Sequence, residues 1–339
     1  MKKLRLLISA CFLTICCLAQ PQDPKQLHET AQAFMRQGDY ANATLVLNRA
    51  MLQEPKNTEM AKDLAQCYYY QNEADKALAV IKPTLDRDDA DDQCFQIAAN
   101  IYQLLNNAEE CEKAYRKGIK KFPDSGPLYN EYGEMLWNRQ DNNAIRQWEK
   151  GIEMDPSYSK NYYNACKFYY SGTDKVWSIL YGENFINMEP LGNRTPEIKN
   201  ILLASYKKLF ADADLARNVK TKNGFMDAFL QTMNKQSNVA ANGLNPETLT
   251  MIRTRFILDW YTDFGNKFPL RQFELQRQLL QDGMFDAYNQ WIFGAAQNLA
   301  AYQNWTSTHS AEYGEFTRFQ KGRIFKIPTG QYYQKTAER

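Results

Sequence analysis

Residues 24–57 read PKQLHETAQAFMRQGDYANATLVLNRAMLQEPKN, and this stretch decides the fold. Leu27, the pair Thr30-Ala31 and Phe34 fall at three- and four-residue steps, so they share one face of a helix. Gly38-Asp39-Tyr40 then supplies a turn, and Ala43, Leu47 and Ala50 form a second apolar stripe that stops before Pro55. Small residues let two such helices approach closely. Proline ends the second one because it cannot continue the hydrogen-bond ladder.

Outward from this stretch the punctuation repeats. Pro55, Pro123, Pro156 and Pro190 are spaced by 68, 33 and 34 residues, with a missing member falling at Asp89. Residues 58–91 give Ala61, Leu64-Ala65 and Tyr68, then Ala77 and Ile81. Residues 92–125 give Phe95, Ala98-Ala99 and Tyr102, then Cys111 and Tyr115. Residues 126–158 give Tyr129, Tyr132-Gly133 and Leu136, then Ala144 and Trp148, with one residue deleted in the turn. Residues 159–192 begin with Tyr162, Ala165-Cys166 and Tyr169, but Ser178 and Gly182 stand where the second helix wants a small residue and an aromatic. Five helix–turn–helix units near 34 residues resemble the tetratricopeptide repeat superfamily over about half of the chain. The resemblance implies an all-α solenoid whose first helices line a concave face where ligands, usually peptides, lie.

Beyond residue 192 the register fades. Ile198, Ile201-Leu202 and Tyr206 predict a helix over 196–210 that caps the array, within a linker region 193–219. Residues 220–245 are rich in Asn, Gly and Gln and predict the domain boundary. A helical C-terminal domain over 220–339 follows, with stripes at Ile252, Phe256, Trp260 and Phe264, at Phe273, Leu279 and Leu280, at Met284, Tyr288 and Trp291, and at Tyr313, Phe316 and Phe319. From Gly322 the chain reads as an extended tail. Between Phe256 and Tyr333 there are 18 aromatic residues in 78, which predicts either a small aromatic core or a platform for carbohydrate or for partner helices.

The first residues carry an address. Lys2, Lys3 and Arg5 precede the apolar run 6–18, and Cys17-Leu18-Ala19 suits a signal peptidase, so residues 1–19 read as a secretory signal and 20–23 as a linker. Export to the periplasm or cell envelope follows as an expectation, with lipid anchoring at Cys11 or Cys16 the lesser reading and no transmembrane segment after cleavage. Without its leader the chain keeps 38 of its 41 basic residues against 39 acidic ones, so it lacks the basic footprint of nucleic-acid binding. The remaining cysteines, Cys67, Cys94, Cys111 and Cys166, fall inside helices and read as buried thiols.

Residues that face a ligand must sit on first helices, off the packing stripe, at i, i+4 and i+7. That selects His28, Gln32 and Met35, then Lys62, Gln66 and Tyr69. The third unit supplies Gln96, Asn100 and Gln103, the fourth Asn130, Glu134 and Trp137, and the fifth Tyr163, Lys167 and Tyr170. Amides can pair with a peptide backbone, and Tyr69, Trp137, Tyr163 and Tyr170 are expected to be exposed. Lys62 and Asn100 alone do not complete the clamp by which members of this superfamily hold a C-terminal carboxylate.

Signals for catalysis are weak. His28 and His309 have no partner at metal-ligand spacing, and no Gly-rich phosphate loop or nucleophile elbow occurs. Asp86, Asp88, Asp89, Asp91 and Asp92 lack the glycine and terminal glutamate of a calcium loop and read as a solvated turn. The expectation is therefore a non-enzymatic protein- or peptide-binding scaffold of the bacterial cell envelope, without cofactor or metal. The alternative is a carbohydrate-binding, less readily carbohydrate-processing, envelope protein that uses the C-terminal aromatic block.

Overall fold

The computed structural model describes residues 23–211, 215 and 223–334. The expected signal, most of the expected linker after it and residues 216–222 lie outside the described residues. Among those described the chain is all-α, with no strand. Its contacts divide it into two units, 1–111 and 112–339, whereas composition had suggested a boundary near residue 220.

In the first unit, α1 (Pro24–Arg36) pairs with α2 (Tyr40–Gln53), and α3 (Thr58–Tyr70) with α4 (Ala74–Ile81); α5 (Asp92–Leu104) opens a third hairpin. Asp23, Asp39, Asn57 and Asp91 cap α1, α2, α3 and α5 with side-chain oxygens, satisfying N–H groups that have no partner within the helix. Leu27, Ala31, Ala43, Leu47, Ala50 and Leu64 belong to one core cluster. The acidic run after α4 serves this architecture. Asp91 caps α5, and Asp89 accepts from Thr58 at 2.6 Å. Pro83 stands in a 3-10 turn at Lys82–Thr84 and ends α4 earlier than the missing proline at Asp89 had suggested.

The turns inside the hairpins show a recurrence that the proline ladder only approximates. Gly38, Asn72, Asn106 and Gln140 all adopt left-handed φ values, +76°, +62°, +54° and +60°, and are 34 residues apart each time. After each one, the next N–H returns to a carbonyl five residues back, as in Asp39 to Phe34 and Asp141 to Leu136. The unit with one residue deleted therefore keeps its turn, but its second helix begins at Ala144, four residues after the left-handed Gln140, where Tyr40, Ala74 and Ala108 begin two after theirs.

The second unit takes over within α6 (Ala108–Lys121) and continues with α7 (Gly126–Asn138), α8 (Ala144–Met154), α9 (Ser159–Ser171), α10 (Lys175–Met188) and α11 (Thr195–Leu209). Gly133 is required where it stands. A Cβ there would lie 2.3 Å from the indole nitrogen of Trp148, which donates to the Asn130 carbonyl. Residues 176–187 of α10 are all buried, so this helix has no solvent face to create an amphipathic signal. Ser178 and Gly182 do work as small residues. Ser178 lies 3.0 Å from the Ser205 hydroxyl, and a Cβ on Gly182 would crowd Cys166 and Leu202.

The C-terminal part comprises α12 (Gly224–Asn234), α13 (Ser237–Ala240), α14 (Pro246–Asp263), α15 (Arg271–Gln281) and α16 (Phe285–Asn289). A π-turn at Gln290–Gly294 runs into α17 (Ala295–Gln297), followed by α18 (Leu299–Thr308) and α19 (Ser310–Gly322). The segment expected to be a loop-like boundary instead forms α12, because Phe225, Met226, Phe229, Leu230 and Met233 recur at helical spacing and are buried. Most of the aromatic density is core: Trp260 is surrounded by Phe225, Phe256, Phe268 and Phe273 at 5.0–6.3 Å between ring centroids. Residues 323–334 form the irregular tail, with Tyr333 stacked on Phe225 at 4.8 Å.

Inside this aromatic core sits a polar network. Glu183 of α10 accepts from the Arg253 guanidinium, from Gln276 at 2.7 Å and from the Tyr288 hydroxyl at 2.7 Å. Arg253 also donates to Asn289, and the rings of Phe285, Tyr288 and Phe293 surround its guanidinium at 5.3–5.4 Å. The Glu183 and Arg253 side chains are each only 1% exposed. Burial opposes the Arg253 charge, yet Glu183 holds its pKa above the ordinary value. Cys67, Cys94, Cys111 and Cys166 are buried thiols, and burial pushes Cys67 and Cys166 each up to about 12.

Candidate functional site

First helices α7, α9 and α11 enclose a groove of about 690 Å³. Its aromatic floor is built from Trp137, Trp148, Phe168 and Tyr170. Trp137 packs edge-on against Phe168 with ring centroids 5.5 Å apart, and 42% of its surface stays exposed. Asn138, Asn164 and Asn200 bring one amide from each of the three helices. Glu134, Lys167 and Glu197 supply the charge.

Bonds between successive helices hold these polar groups. Asn164 donates to Asn130 at 2.9 Å and to Glu134 at 3.0 Å, and Asn130 donates to Glu134 at 3.1 Å. Tyr163 donates to Glu197 at 2.6 Å, and Lys167 bonds both Tyr163 at 3.1 Å and Glu197 at 2.9 Å. Although burial works against its ionisation, the Glu197 carboxyl is held below its usual value by these donors. Lys167 is paired to Glu197 and Glu134 accepts from the amides of Asn130 and Asn164, so the described lining carries one more carboxylate than cations. Lys208 sits 4.1 Å from the centre of the Tyr170 ring and fixes that edge.

Of the six residues expected to face a ligand from the fourth and fifth units, Glu134, Trp137, Lys167 and Tyr170 line this groove. Asn130 and Tyr163 do not. They are 2% and 9% exposed, because their polar atoms are spent on the next helix; Tyr163 is also covered by Arg194 and Phe185. Asn164, Phe168, Glu197 and Ile201 escaped the sequence reading. The 34-residue step would have found them, since Glu197 follows Tyr163, and Ile201 follows Lys167, by 34. Treating 196–210 as a cap kept that step from being applied to Glu197 and Ile201.

In the first unit the expected positions serve mainly to join hairpins. His28 lies 2.7 Å from Asp63, and Gln32 donates to the same carboxylate at 3.2 Å. Lys62 was expected to be accessible but is 4% exposed; it bonds Asp91, Gln93 and Glu59. Burial disfavours its charge, but those carboxylates raise its pKa overall. Met35 packs against the core. Gln66, Tyr69, Gln96 and Asn100 are half-buried and Gln103 is exposed. The exposed ring here is Tyr70, stacked on Tyr40 at 4.6 Å.

Residues 34–101 match the model of the tetratricopeptide repeat family. No curated protein matches the chain. Among solved structures it is similar to a tetratricopeptide repeat protein from Parabacteroides merdae, at 16% identity and TM-score 0.42, covering 70% of this chain and 91% of that one. It is also similar to a thermophilic repeat protein of Thermus thermophilus, at 13% identity and TM-score 0.42, covering 55% and 98%. A third is YrrB, described as having an unusual peptide-binding site, at 13% identity and TM-score 0.38, covering 56% and 94%. The matched segment, with hairpin turns that recur every 34 residues from Gly38 to Gln140, is a tetratricopeptide repeat segment within an all-α chain.

Proposed function

We propose that the protein is a non-enzymatic scaffold that binds a peptide or protein segment in the groove of α7, α9 and α11, at the bacterial cell envelope. The observation that carries this reading is an exposed Trp137 over an aromatic floor, flanked by an asparagine from each of three successive helices. Large aromatic side chains give contact area at low entropy cost, and side-chain amides pair with an extended backbone. The paired Lys167 and the carboxylate of Glu134 disfavour a free C-terminus and favour an internal segment with a neutral or basic anchor. The envelope assignment rests on the basic start and apolar run of residues 2–18.

The test is a peptide array probed with the intact protein and with Trp137→Ala plus Tyr170→Ala. Both rings are on the surface, so circular dichroism should be unchanged. Loss of array binding is expected; full retention would remove the groove from the account.

A further inference from the structure

A second cavity, remote in sequence from the groove, has a different chemistry. It measures about 420 Å³ and lies among the start of α14, the π-turn and α18. Small-molecule sites span roughly 300–1,000 Å³, so its size suits a ligand of a few rings. Among the described residues no lysine or arginine lines it, and Glu247 is its one carboxylate. Apart from Pro246, Gly294 and Ala301, its apolar lining consists of the rings of Tyr302 and Trp305. A peptide anchor would find no aliphatic socket here.

The polar groups are pre-set. Asn245 and Asn298 each commit the side-chain oxygen to the first turn of a helix, to Thr248 and Ala301, which fixes where their NH₂ groups point. Gln290 is 4% exposed, and its amide is held by one long bond of 3.3 Å to Glu247. The ring geometry is fixed as well. His309 stacks on Trp305 at 4.4 Å with 6° between planes, and a Cβ on Gly294 would lie 2.5 Å from the Tyr302 ring, so only glycine admits that ring. The π-turn that presents Gln290 and Gly294 is a helical irregularity often found at functional sites.

We infer that this cavity binds a neutral oligosaccharide, with a pyranose ring against Trp305 and its hydroxyls bonded by the amides of Asn245, Gln290 and Asn298. Each sugar hydroxyl both donates and accepts, as each side-chain amide does, and the C–H face of a pyranose is apolar enough to cover an indole. The carbohydrate expectation thereby attaches to one half-buried tryptophan on α18, not to the buried aromatic core.

Isothermal titration with soluble malto-, cello-, xylo-, manno- and laminari-hexaose tests this directly, using the intact protein, Trp305→Ala and Trp137→Ala plus Tyr170→Ala. At least one hexaose should bind. Trp305→Ala should weaken it by at least about tenfold, the value of a 1.4 kcal/mol contact. The groove variant should bind it as tightly as the unaltered chain, and Trp305→Ala should keep its peptide binding, which separates this inference from the groove reading. Failure of all five sugars to bind would overturn it, as would affinity unchanged by Trp305→Ala.

Discussion

The first hairpins and the region around α10 solve the same packing problem differently. In α1 to α4 each helix buries one stripe of alanine and leucine, leaves the rest to water, and joins its neighbours through half-exposed pairs such as His28–Asp63. Around α10 a helix is buried on every side, and its one carboxylate is met by an arginine, an amide and a phenol from α14 to α16. Where one face is buried, the sequence periodicity shows it. Where all faces are buried, stability depends on satisfying polar groups that no periodicity announces.

The sharpest way to break this contrast is to remove one side of the buried pair. Glu183→Ala leaves Arg253 charged and enclosed by rings, and should cost about 3–5 kcal/mol in denaturant unfolding. Glu183→Leu with Arg253→Met should recover most of it. If the single change is neutral, the network is not what holds α10.

A second test uses pH. Glu149 of α8 is pushed up to about 7 by burial, against the opposing bonds from the Tyr169 and Tyr181 hydroxyls. An unfolded glutamate loses its proton near 4.3, so between about 4.3 and 7 the folded chain holds the extra proton. Stability should therefore fall as pH rises through that window, by about 3–4 kcal/mol in total. Glu149→Gln should flatten the slope, and an unchanged slope would assign it to another group. In the first hairpins, by contrast, Asp63→Ala should cost no more than about 1 kcal/mol, because a partly solvated pair contributes little.

The same contrast explains what could be read from the chain. The stripes of Leu27, Ala31 and Leu47 gave away the hairpins, and the aromatic floor at Trp137 and Tyr170 followed from the register. Lys62, Asn130 and Tyr163 were misplaced because a position facing the next helix at one residue's offset is spent on that helix, which spacing alone cannot distinguish from solvent. Glu197 was missed because the repeat extends one helix beyond its last proline, into α11, and Asn164 because it sits one residue past the position chosen on α9. The Asn245–Gln290–Trp305 cavity had no signal, since it joins the start of α14 to a π-turn and α18 more than forty positions later.

The most direct test of the groove is hydrogen–deuterium exchange of the intact protein, with and without the tightest peptide from the array. Slowed exchange should concentrate in α7, α9 and α11. Protection confined instead to α2 or α14, where Leu52 and Leu258 are exposed, would contradict the account.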